Sequence, residues 1–550
     1  MKKRRILRDL LLIFLILWSM SGCGKEKEAL KPEETEDTAV IELADSNEEI
    51  VVAVNIDGSF DELPFENVWL NRSRFWGSLV FQGLLIADEN ISNVKTDLCE
   101  DFIISTDGTV YTFVLKDNLT WHDGEALTAE DVVWSLENYL KVQETNGFIK
   151  KGIREIQGAV EFENGRKESI SGIQADGNVI TITLRKDNSN FLGAVAQVAI
   201  LPKHCLEHVP LEQFGSCDFW KMPIGSGPYQ VVQNIDNKEA VLVVNPEYSG
   251  KVSGIRQIRY KVLEHPQTDY FDFALSSDPV IVNNFRQKSD YSVLETNNLY
   301  YRYLIFNLDK RSGENNGLLK NPQVRKALMM AIDRERMIQE IYRGTAIKMD
   351  SGIPKSDSWY VEKAGTDSKY NPDVAEYILK TSNFDFSKTI VLTHYNMDEL
   401  SKQLLERIAQ YWRAIGVKVE IIPLEGDSTN KLFGDADWYD VALKNLSAAD
   451  YSEWYYEYSS ENLLWSEIWK ERKEFDILIN KINHAVYAKE LETLYSEIQQ
   501  LENSMVYKIP LAIVPQYIIY NKQHLQLPEK EYPNMWYHFD LELENWKVIE

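Results

Sequence analysis

One stretch, in which a strand pattern leads through a turn into a helix pattern, constrains the fold of this chain more than any other feature. Residues 108–121, GTVYTFVLKDNLTW, alternate β-branched and aromatic residues with polar ones, which is typical of a β-strand. The Asp123-Gly124 pair that follows favours a turn. Thr128 then has the position of a helix N-cap, with Asp131 three residues later as its capping-box partner.

The same succession of helix and strand returns later in the chain. Residues 400–422, LSKQLLERIAQYWRAIGVKVEII, predict a helix that ends at Gly416 and a strand that follows it. The predicted inward residues of this helix are Leu404, Leu405, Ile408, Trp412 and Ile415. Two further helices are predicted to begin at Asn321-Pro322 and Asn371-Pro372, with Asn as N-cap and Pro in the first turn. Repeated helix and strand patterns predict an α/β architecture.

The stretch 121–137, WHDGEALTAEDVVWSLE, also concentrates residues that could bind a metal or act as acids and bases. Thr128 and Asp131 are explained as a helix cap, and Glu130 lies in the first turn, where a carboxylate suits the helix dipole. His122 and Asp123 remain at the turn, and two residues are too few for a metal site. We therefore predict that this cluster is structural and not catalytic.

The amino terminus has the pattern of an export signal. Four basic residues at 2–5 precede the apolar segment 10–20, which is too short for a membrane span of about 20 residues. The segment ends in Met-Ser-Gly-Cys at residues 20–23, which resembles a bacterial lipoprotein box and implies that Cys23 carries a diacylglyceryl group. The alternative is an ordinary signal peptide with a chance cysteine.

Composition sets further limits. Residues 24–49 are polar and acidic with almost no aromatics, so we predict a flexible tether there. The remaining chain is long enough for two or three lobes. The full sequence has 85 acidic and 59 basic residues, and its net charge of −26 argues against a nucleic-acid partner.

Other features of the sequence contain the residue types of known sites, but none of them predicts a site. Cys205 and Cys217 are close enough in sequence for a disulfide, but spacing alone does not show one. His204 and His208 stand four apart, as two metal ligands on a helix can, yet no third ligand is visible nearby and no Cys-x-x-Cys pair exists. The glycine-rich stretch 225–228 lacks a following Gly-Lys-Ser/Thr, so a bend is predicted instead of a phosphate loop. No metal, cofactor or hydrolase nucleophile elbow is predicted.

Several stretches follow one another in the order of a known family's signature segments. They are residues 79–90 (LVFQGLLIADEN), 98–137, 223–233 (PIGSGPYQVVQ), 243–263, 304–310 with 319–338, and 370–384 (YNPDVAEYILKTSNF). Together they resemble the family 5 extracellular solute-binding proteins, the receptors of peptide and nickel ABC importers. The resemblance implies an α/β, three-lobed periplasmic-binding-protein-like fold of type II, which hinges closed around its ligand.

The resemblance also implies lobe boundaries. After a signal peptide at 1–22 and a tether at 23–49, lobe I would be discontinuous. Its segments would be 50–85, 199–297 and 506–550, with lobe II at 86–198 and lobe III at 298–505.

The stretch AADYSE, residues 448–453, resembles the Ala-Asp-Tyr-x-Asp/Glu motif of the oligopeptide and dipeptide receptors. In those receptors the Asp binds the α-ammonium group of the ligand, so Asp450 is the expected anchor, at the end of a strand predicted over 440–443. Ser447 and Trp454 are expected ligand contacts as well. They stand where the family commonly has Trp and Pro, which puts pocket shape and peptide preference in doubt.

The resemblance suggests further ligand contacts beside Asp450. Lys444 could meet a ligand carboxylate, and Ser73, Arg74 and Phe75 fall where peptide receptors line the mouth of the pocket.

The resulting expectation is a non-enzymatic, lipid-anchored receptor at the outer face of the cell membrane, in a Gram-positive-type envelope or a periplasm. It would be a monomer that captures peptides and presents them to the permease and ATPase of an ABC importer. The alternatives are a receptor of the same fold for a nickel chelate, haem or an oligosaccharide, a peptide sensor without transport, or a cell-surface hydrolase.

Overall fold

The computed structural model of the chain covers the folded part with gaps. The described residues are 48–56, 62–63, 77–87, 94–142, 145–188, 190–251, 253–265, 267–309, 317–362, 369–395, 398–448, 450–485, 488–530, 532 and 542–549. The predicted signal peptide 1–22, Cys23 and the triplet Ser73, Arg74 and Phe75 lie outside them. Of the predicted tether, only Glu48 and Glu49 are described, and they belong to the folded unit because the first strand begins at Glu49.

The first large sheet has seven strands, of mixed direction, drawn from the beginning, middle and end of the chain. In spatial order they are Tyr291–Glu295, Tyr517–Asn521, Phe273–Ser276, Glu49–Ala53, Gln257–Lys261, Glu239–Val244 and Tyr229–Ile235. Glu49–Ala53 is parallel to both of its neighbours, and the other pairs are antiparallel.

The second large sheet has six strands from the later half of the chain. In spatial order they are Ile347–Lys348, Lys508–Ile513, Leu299–Phe306, Val441–Ala448, Thr389–His394 and Lys418–Ile421. The predicted boundary at 505 is therefore too early for this sheet, because Lys508–Ile513 pairs with Leu299–Phe306 and the chain leaves the sheet only afterwards. The remaining lobe boundaries stay predictions.

Smaller sheets complete the fold. Four antiparallel strands form one, in the order Cys99–Ile104, Val110–Leu115, Val179–Thr183 and Ile173–Asp176. Two-stranded sheets pair Leu85–Ala87 with Val94–Thr96 and Leu525–Gln526 with Lys547–Val548.

Helices flank these sheets, which confirms the α/β prediction. The α-helices of the described chain are Gly77–Val80, Ala129–Lys141, Gly147–Arg154, Ala159–Glu163, Phe191–Ala196, Lys203–Leu206, Pro279–Arg286, Pro322–Met330, Arg334–Ile341, Pro372–Thr381, Glu399–Ala414, Tyr451–Tyr456, Lys473–His484 and Ala488–Met505. Shorter helical turns are Leu211–Ser216, Asp218–Lys221, Asn430–Gly434, Leu463–Trp465 and Leu543–Asn545. No helix within the described ranges is both long and apolar enough to cross a membrane.

The predicted helix starts are confirmed at the atomic level. The Asp131 carboxylate accepts a hydrogen bond from the backbone N–H of Thr128 at 2.8 Å. Asn321 and Asn371 cap their helices, each with Pro in the first turn. The five apolar residues predicted to face inward on Glu399–Ala414 and just after it are at most 5% exposed. Gly416 follows with φ +85°, a left-handed conformation that glycine adopts without strain.

The apolar cores do not correspond one to one with the sheets. Side chains of the seven-stranded and four-stranded sheets, such as Ile258 and Phe113, share one core with the helix Ala129–Lys141. The six-stranded sheet builds a core of its own, around residues such as Leu304 and Trp412. Cys205 and Cys217 are both free thiols, so the disulfide that their spacing allowed is not formed.

Candidate functional site

The two large sheets are joined by two neighbouring crossings of the chain. One crossing, residues 296–298, links strand Tyr291–Glu295 to Leu299–Phe306, and the other, residues 514–516, links Lys508–Ile513 to Tyr517–Asn521. They hydrogen-bond to each other: the N–H of Thr296 donates to the carbonyl of Gln516 at 3.0 Å, and the N–H of Gln516 donates to the side chain of Asn298 at 2.6 Å.

Asp450 lies close to these crossings. Strand Val441–Ala448 is longer than the predicted 440–443, and its last residue Ala448 pairs with Leu299, the first residue after a crossing. Asp450 lies two residues beyond Ala448 in the sequence, so it is placed past the carboxyl end of this strand. Ligands of open α/β sheets commonly bind beyond the carboxyl ends of strands, and Asp450 has such a position.

The carboxylate of Asp450 is the N-cap of helix Tyr451–Tyr456. Its Oδ1 accepts hydrogen bonds from the backbone N–H of Ser452 at 2.8 Å, the hydroxyl of Ser452 at 2.6 Å and the N–H of Glu453 at 3.3 Å. These bonds fix the direction of the carboxyl group, and all of them use the same oxygen. The geometry leaves Oδ2 to meet another group.

A lysine from another part of the molecule approaches this helix. Lys151, on helix Gly147–Arg154, has its Nζ 4.1 Å from the ring centroid of Tyr456. Burial lowers the pKa of Lys151, while the carboxylates of Asp450, Glu453 and Glu461 act in the opposite direction. These carboxylates favour the charged form of Lys151, so the ammonium of Lys151 is a cation close to Asp450.

Trp454 does not fit the predicted role of a ligand contact. Its side chain is 0% exposed and lies against Tyr301 and Tyr303. Its indole N–H donates to Glu502 at 2.7 Å, and burial raises the pKa of that glutamate. Trp454, at the position of the family's Pro, is thus a core residue, and it supports helix Tyr451–Tyr456 from the side of the core.

Lys444 is held by a buried ionic cluster beneath the same helix. Its Nζ lies 3.0 Å from Oε1 of Glu457, and Lys508, whose side chain is 0% exposed, lies 2.6 Å from Oε2. Burial lowers the pKa of Lys508 to about 8. Burial also opposes the charge of Glu457, but the two lysines lower the pKa of its carboxyl group overall. The main contact of Lys444 is therefore Glu457, and its contact with a ligand carboxylate stays a prediction.

Ser447 lies on the same strand as Lys444, opposite Tyr300 in the register. Its side chain is half-buried, and its contact with a ligand stays a prediction. Lys151 and Glu453 were missed by the sequence reasoning. Glu453 could have been found as the acidic residue of the motif around Asp450, but Lys151 carries no local signal.

In the acidic turn, the side chain of His122 contacts the glycine-rich stretch, and the absence of a catalytic role stays a prediction. His122 accepts a hydrogen bond from the N–H of Gly225 and lies 3.1 Å from the carbonyl of Gly227, so one ring nitrogen accepts and the other donates. Burial lowers the pKa of His122 to about 4. Gly225 and Gly227 approach the backbone of Val80 so closely that a Cβ would clash, which explains the predicted bend.

A separate surface depression lies beside the seven-stranded sheet. Tyr229, Tyr248, Lys251, Ser253 and Glu542 are among the residues that line it. It contains none of the residues discussed around Asp450. We favour Asp450 because its carboxyl group is oriented by fixed hydrogen bonds beside the crossings.

Comparison with known proteins adds independent information. The family described as "Bacterial extracellular solute-binding proteins, family 5 Middle" matches residues 93–462. A Brucella ovis protein named as an ABC transporter peptide-binding protein is 27% identical over 421 residues, which cover 72% of this chain and 75% of that protein.

Two solved structures share the fold. The oligopeptide-binding protein AppA from Bacillus subtilis, in complex with a nonapeptide, superposes with a TM-score of 0.69 at 20% identity and covers 91% of this chain and 99% of its own. NikZ from Campylobacter jejuni, in complex with Ni(L-His), gives 0.67 at 23% identity, with coverage of 91% and 99%.

Proposed function

Because this chain belongs to the bacterial extracellular solute-binding proteins of family 5, we propose that it captures peptides outside the cell and delivers them to the permease and ATPase of an ABC importer. It has the fold of the periplasmic-binding proteins of type II. Its named relatives are binding proteins, and we expect no enzymatic activity from this chain.

The observation that carries the peptide proposal is the geometry of Asp450. One carboxylate oxygen is fixed by the start of a helix, and the other remains for an ammonium group. A charge-assisted hydrogen bond between a carboxylate and an α-ammonium group is stronger than one between neutral groups. A free peptide amino terminus is therefore the ligand group that suits this position.

The proposal extends to the membrane. Lipid on Cys23 would hold a monomeric receptor at the outer face of the cell membrane, through the acidic tether. Labelling of expressing cells with a fatty-acid analogue should tag the wild type and leave Cys23→Ala untagged. Equal labelling of the two proteins would contradict the anchor.

The ligand class is tested by calorimetry with one peptide in two forms, with a free and with an N-acetylated amino terminus. Asp450→Asn keeps the shape of the side chain and removes its charge. Loss of one partner of a buried charge pair costs about 2–5 kcal/mol, so the free peptide should bind at least about 30-fold more weakly to the variant.

Acetylation should weaken binding to the wild type by a similar factor and add little in the variant. Equal binding of the free peptide to both proteins would show that Asp450 is not the anchor. If neither protein binds any peptide, mass spectrometry of small molecules released on denaturation decides among a nickel chelate, haem and an oligosaccharide.

A further inference from the structure

Three side chains with metal-binding atoms meet at the turn beside His122. Asp123, His204 and Cys205 each offer one ligand atom, and these atoms all lie within 4.8 Å of one another. Nε2 of His204 lies 2.9 Å from Oδ2 of Asp123, although the two residues are 81 positions apart in the sequence. The fold thus brings together three candidate ligands, of which the His204–His208 spacing in the sequence indicated only His204.

His208 itself is not part of this group. Its side chain is 85% exposed, and its Nε2 lies 3.7 Å from the carboxylate of Glu207. The helix Lys203–Leu206 ends before it, so the four-residue spacing does not place both histidines on one helical face.

The carboxylate is held in position from the side that faces away from the cluster. Oδ1 of Asp123 accepts a hydrogen bond from the backbone N–H of Glu125 at 3.2 Å, which leaves Oδ2 directed at His204. The turn is closed by the N–H of Trp121, which donates to the carbonyl of Glu125 at 2.8 Å. Such support of ligand orientation by surrounding hydrogen bonds is typical of metal sites in proteins.

The histidine and the cysteine are held by the neighbouring helix. The backbone N–H of Lys203 donates to Oδ1 of Asp131 at 3.1 Å, and the ammonium of Lys203 lies 3.0 Å from Glu130. His204 and Cys205 follow at once, so the start of helix Ala129–Lys141 fixes both. The cluster is therefore built from two segments, of which the second is held by the side chains of Asp131 and Glu130.

The donor set selects the metal. One imidazole, one thiolate and one carboxylate suit Zn²⁺, whereas Ca²⁺ and Mg²⁺ prefer oxygen ligands alone. Zinc bonds of about 2.0–2.3 Å in a tetrahedron place neighbouring ligand atoms roughly 3.3–3.8 Å apart. The Asp123–His204 distance of 2.9 Å is shorter than that range, and all three atoms lie within 4.8 Å of one another, so side-chain movements would admit the ion, with water as the fourth ligand.

We propose that Asp123, His204 and Cys205 form a Zn²⁺ site that fastens the turn at residues 121–125 to the helix Lys203–Leu206. The thiol of Cys205 must lose its proton to bind zinc. Affinity for Zn²⁺ should therefore rise with pH. Because the metal binds the folded protein, it should also raise the melting temperature.

The test uses the full chain, purified in detergent and stripped of metal with EDTA, and titrated with Zn²⁺ in a calorimeter. We expect saturable binding tighter than about 1 μM. His204→Ala and Cys205→Ser should each weaken it by at least about 10–100-fold. The matched controls His208→Ala and Cys217→Ser remove the same residue types from nearby positions, and each should leave the affinity unchanged.

The absorption spectrum of bound Co²⁺ gives a second measurement of the site, which does not depend on the heat of binding. Co²⁺ bound to a thiolate shows a charge-transfer absorption in the near ultraviolet, which should appear in the wild type and Cys217→Ser and be absent from Cys205→Ser. Circular dichroism of the metal-free variants establishes that they are folded. Absence of saturable Zn²⁺ binding to the wild type, or equal loss in the control variants, would overturn the site.

Discussion

Among the helix starts that carry a capping carboxylate, two use it in different ways. Asp131, in the first turn of Ala129–Lys141, is 6% exposed, and both of its oxygens accept backbone hydrogen bonds, one from Thr128 and one from Lys203. Asp450, at the start of Tyr451–Tyr456, is half-buried, and only its Oδ1 serves the helix.

The difference shows how one local pattern can serve stability or binding. When both oxygens of a carboxylate accept hydrogen bonds from backbone N–H groups of the protein, neither oxygen is directed at a ligand. When only one oxygen accepts such bonds, the other keeps a fixed direction and can meet a partner. The helix pattern alone therefore does not reveal which carboxylate binds.

The largest expected effect on stability is at Asp131. Asp131→Ala removes the charged acceptor of the Thr128 and Lys203 N–H groups, whose hydrogen bonds are partly buried. Since a hydrogen bond to a charged group contributes about 1.5–3 kcal/mol, the free energy of unfolding should fall by about 3 kcal/mol in urea titrations. Peptide affinity should stay unchanged, and a loss of affinity without a loss of stability would reverse the assignment.

The pH dependence of stability should reveal His122, which joins the turn to Gly225 and Gly227. Its pKa is lowered from 6.5 to about 4 in the folded protein, so between these values the unfolded chain binds more protons. The stability that it contributes is complete above pH 6.5 and is lost as the pH falls toward 4.

From pH 7 to pH 5 the wild type should therefore lose about 2 kcal/mol more than His122→Gln. Urea unfolding of both proteins at the two pH values measures this difference. Parallel losses in the two proteins would mean that His122 titrates normally in the fold.

A smaller effect is expected at the cap residue itself. The hydroxyl of Thr128 lies 3.2 Å from the Asp131 carboxylate. Thr128→Ala should lower the free energy of unfolding by about 1 kcal/mol, whereas Thr128→Ser should retain most of it. An equal loss in both variants would point to the methyl group and not to the hydroxyl.

The smallest expected effect is that of Asp450→Asn on stability. Asn caps helices about as well as Asp, so the unfolding free energy should change by less than about 0.5 kcal/mol. The same variant should lose most of its affinity for a free peptide amino terminus. A large loss of stability would instead mean that the charge of Asp450 belongs to the fold, as that of Asp131 does.

Sequence reasoning was most successful where partners lie within a few residues of each other. The capping pair Thr128 and Asp131, the Asn-Pro helix starts and the Gly416 helix end were all predicted and confirmed. It was less successful at the carboxyl end of a strand, where the prediction stopped at 443 and the strand continues to Ala448. The burial of Trp454 was also missed, because the position of a family motif does not show what packs over a side chain.

By itself, the sequence determined the local elements, since a helix cap or a strand alternation depends on backbone geometry over a few neighbouring residues. It also carried the family resemblance, in segments that keep their order along the chain. Only the tertiary structure decided that Asp123 meets His204, that Lys151 approaches the helix of Asp450 and that Lys508 pairs with Glu457. Those contacts join residues far apart in the sequence, and they depend on the register of the sheets and on the packing of the cores, which no short stretch of sequence contains.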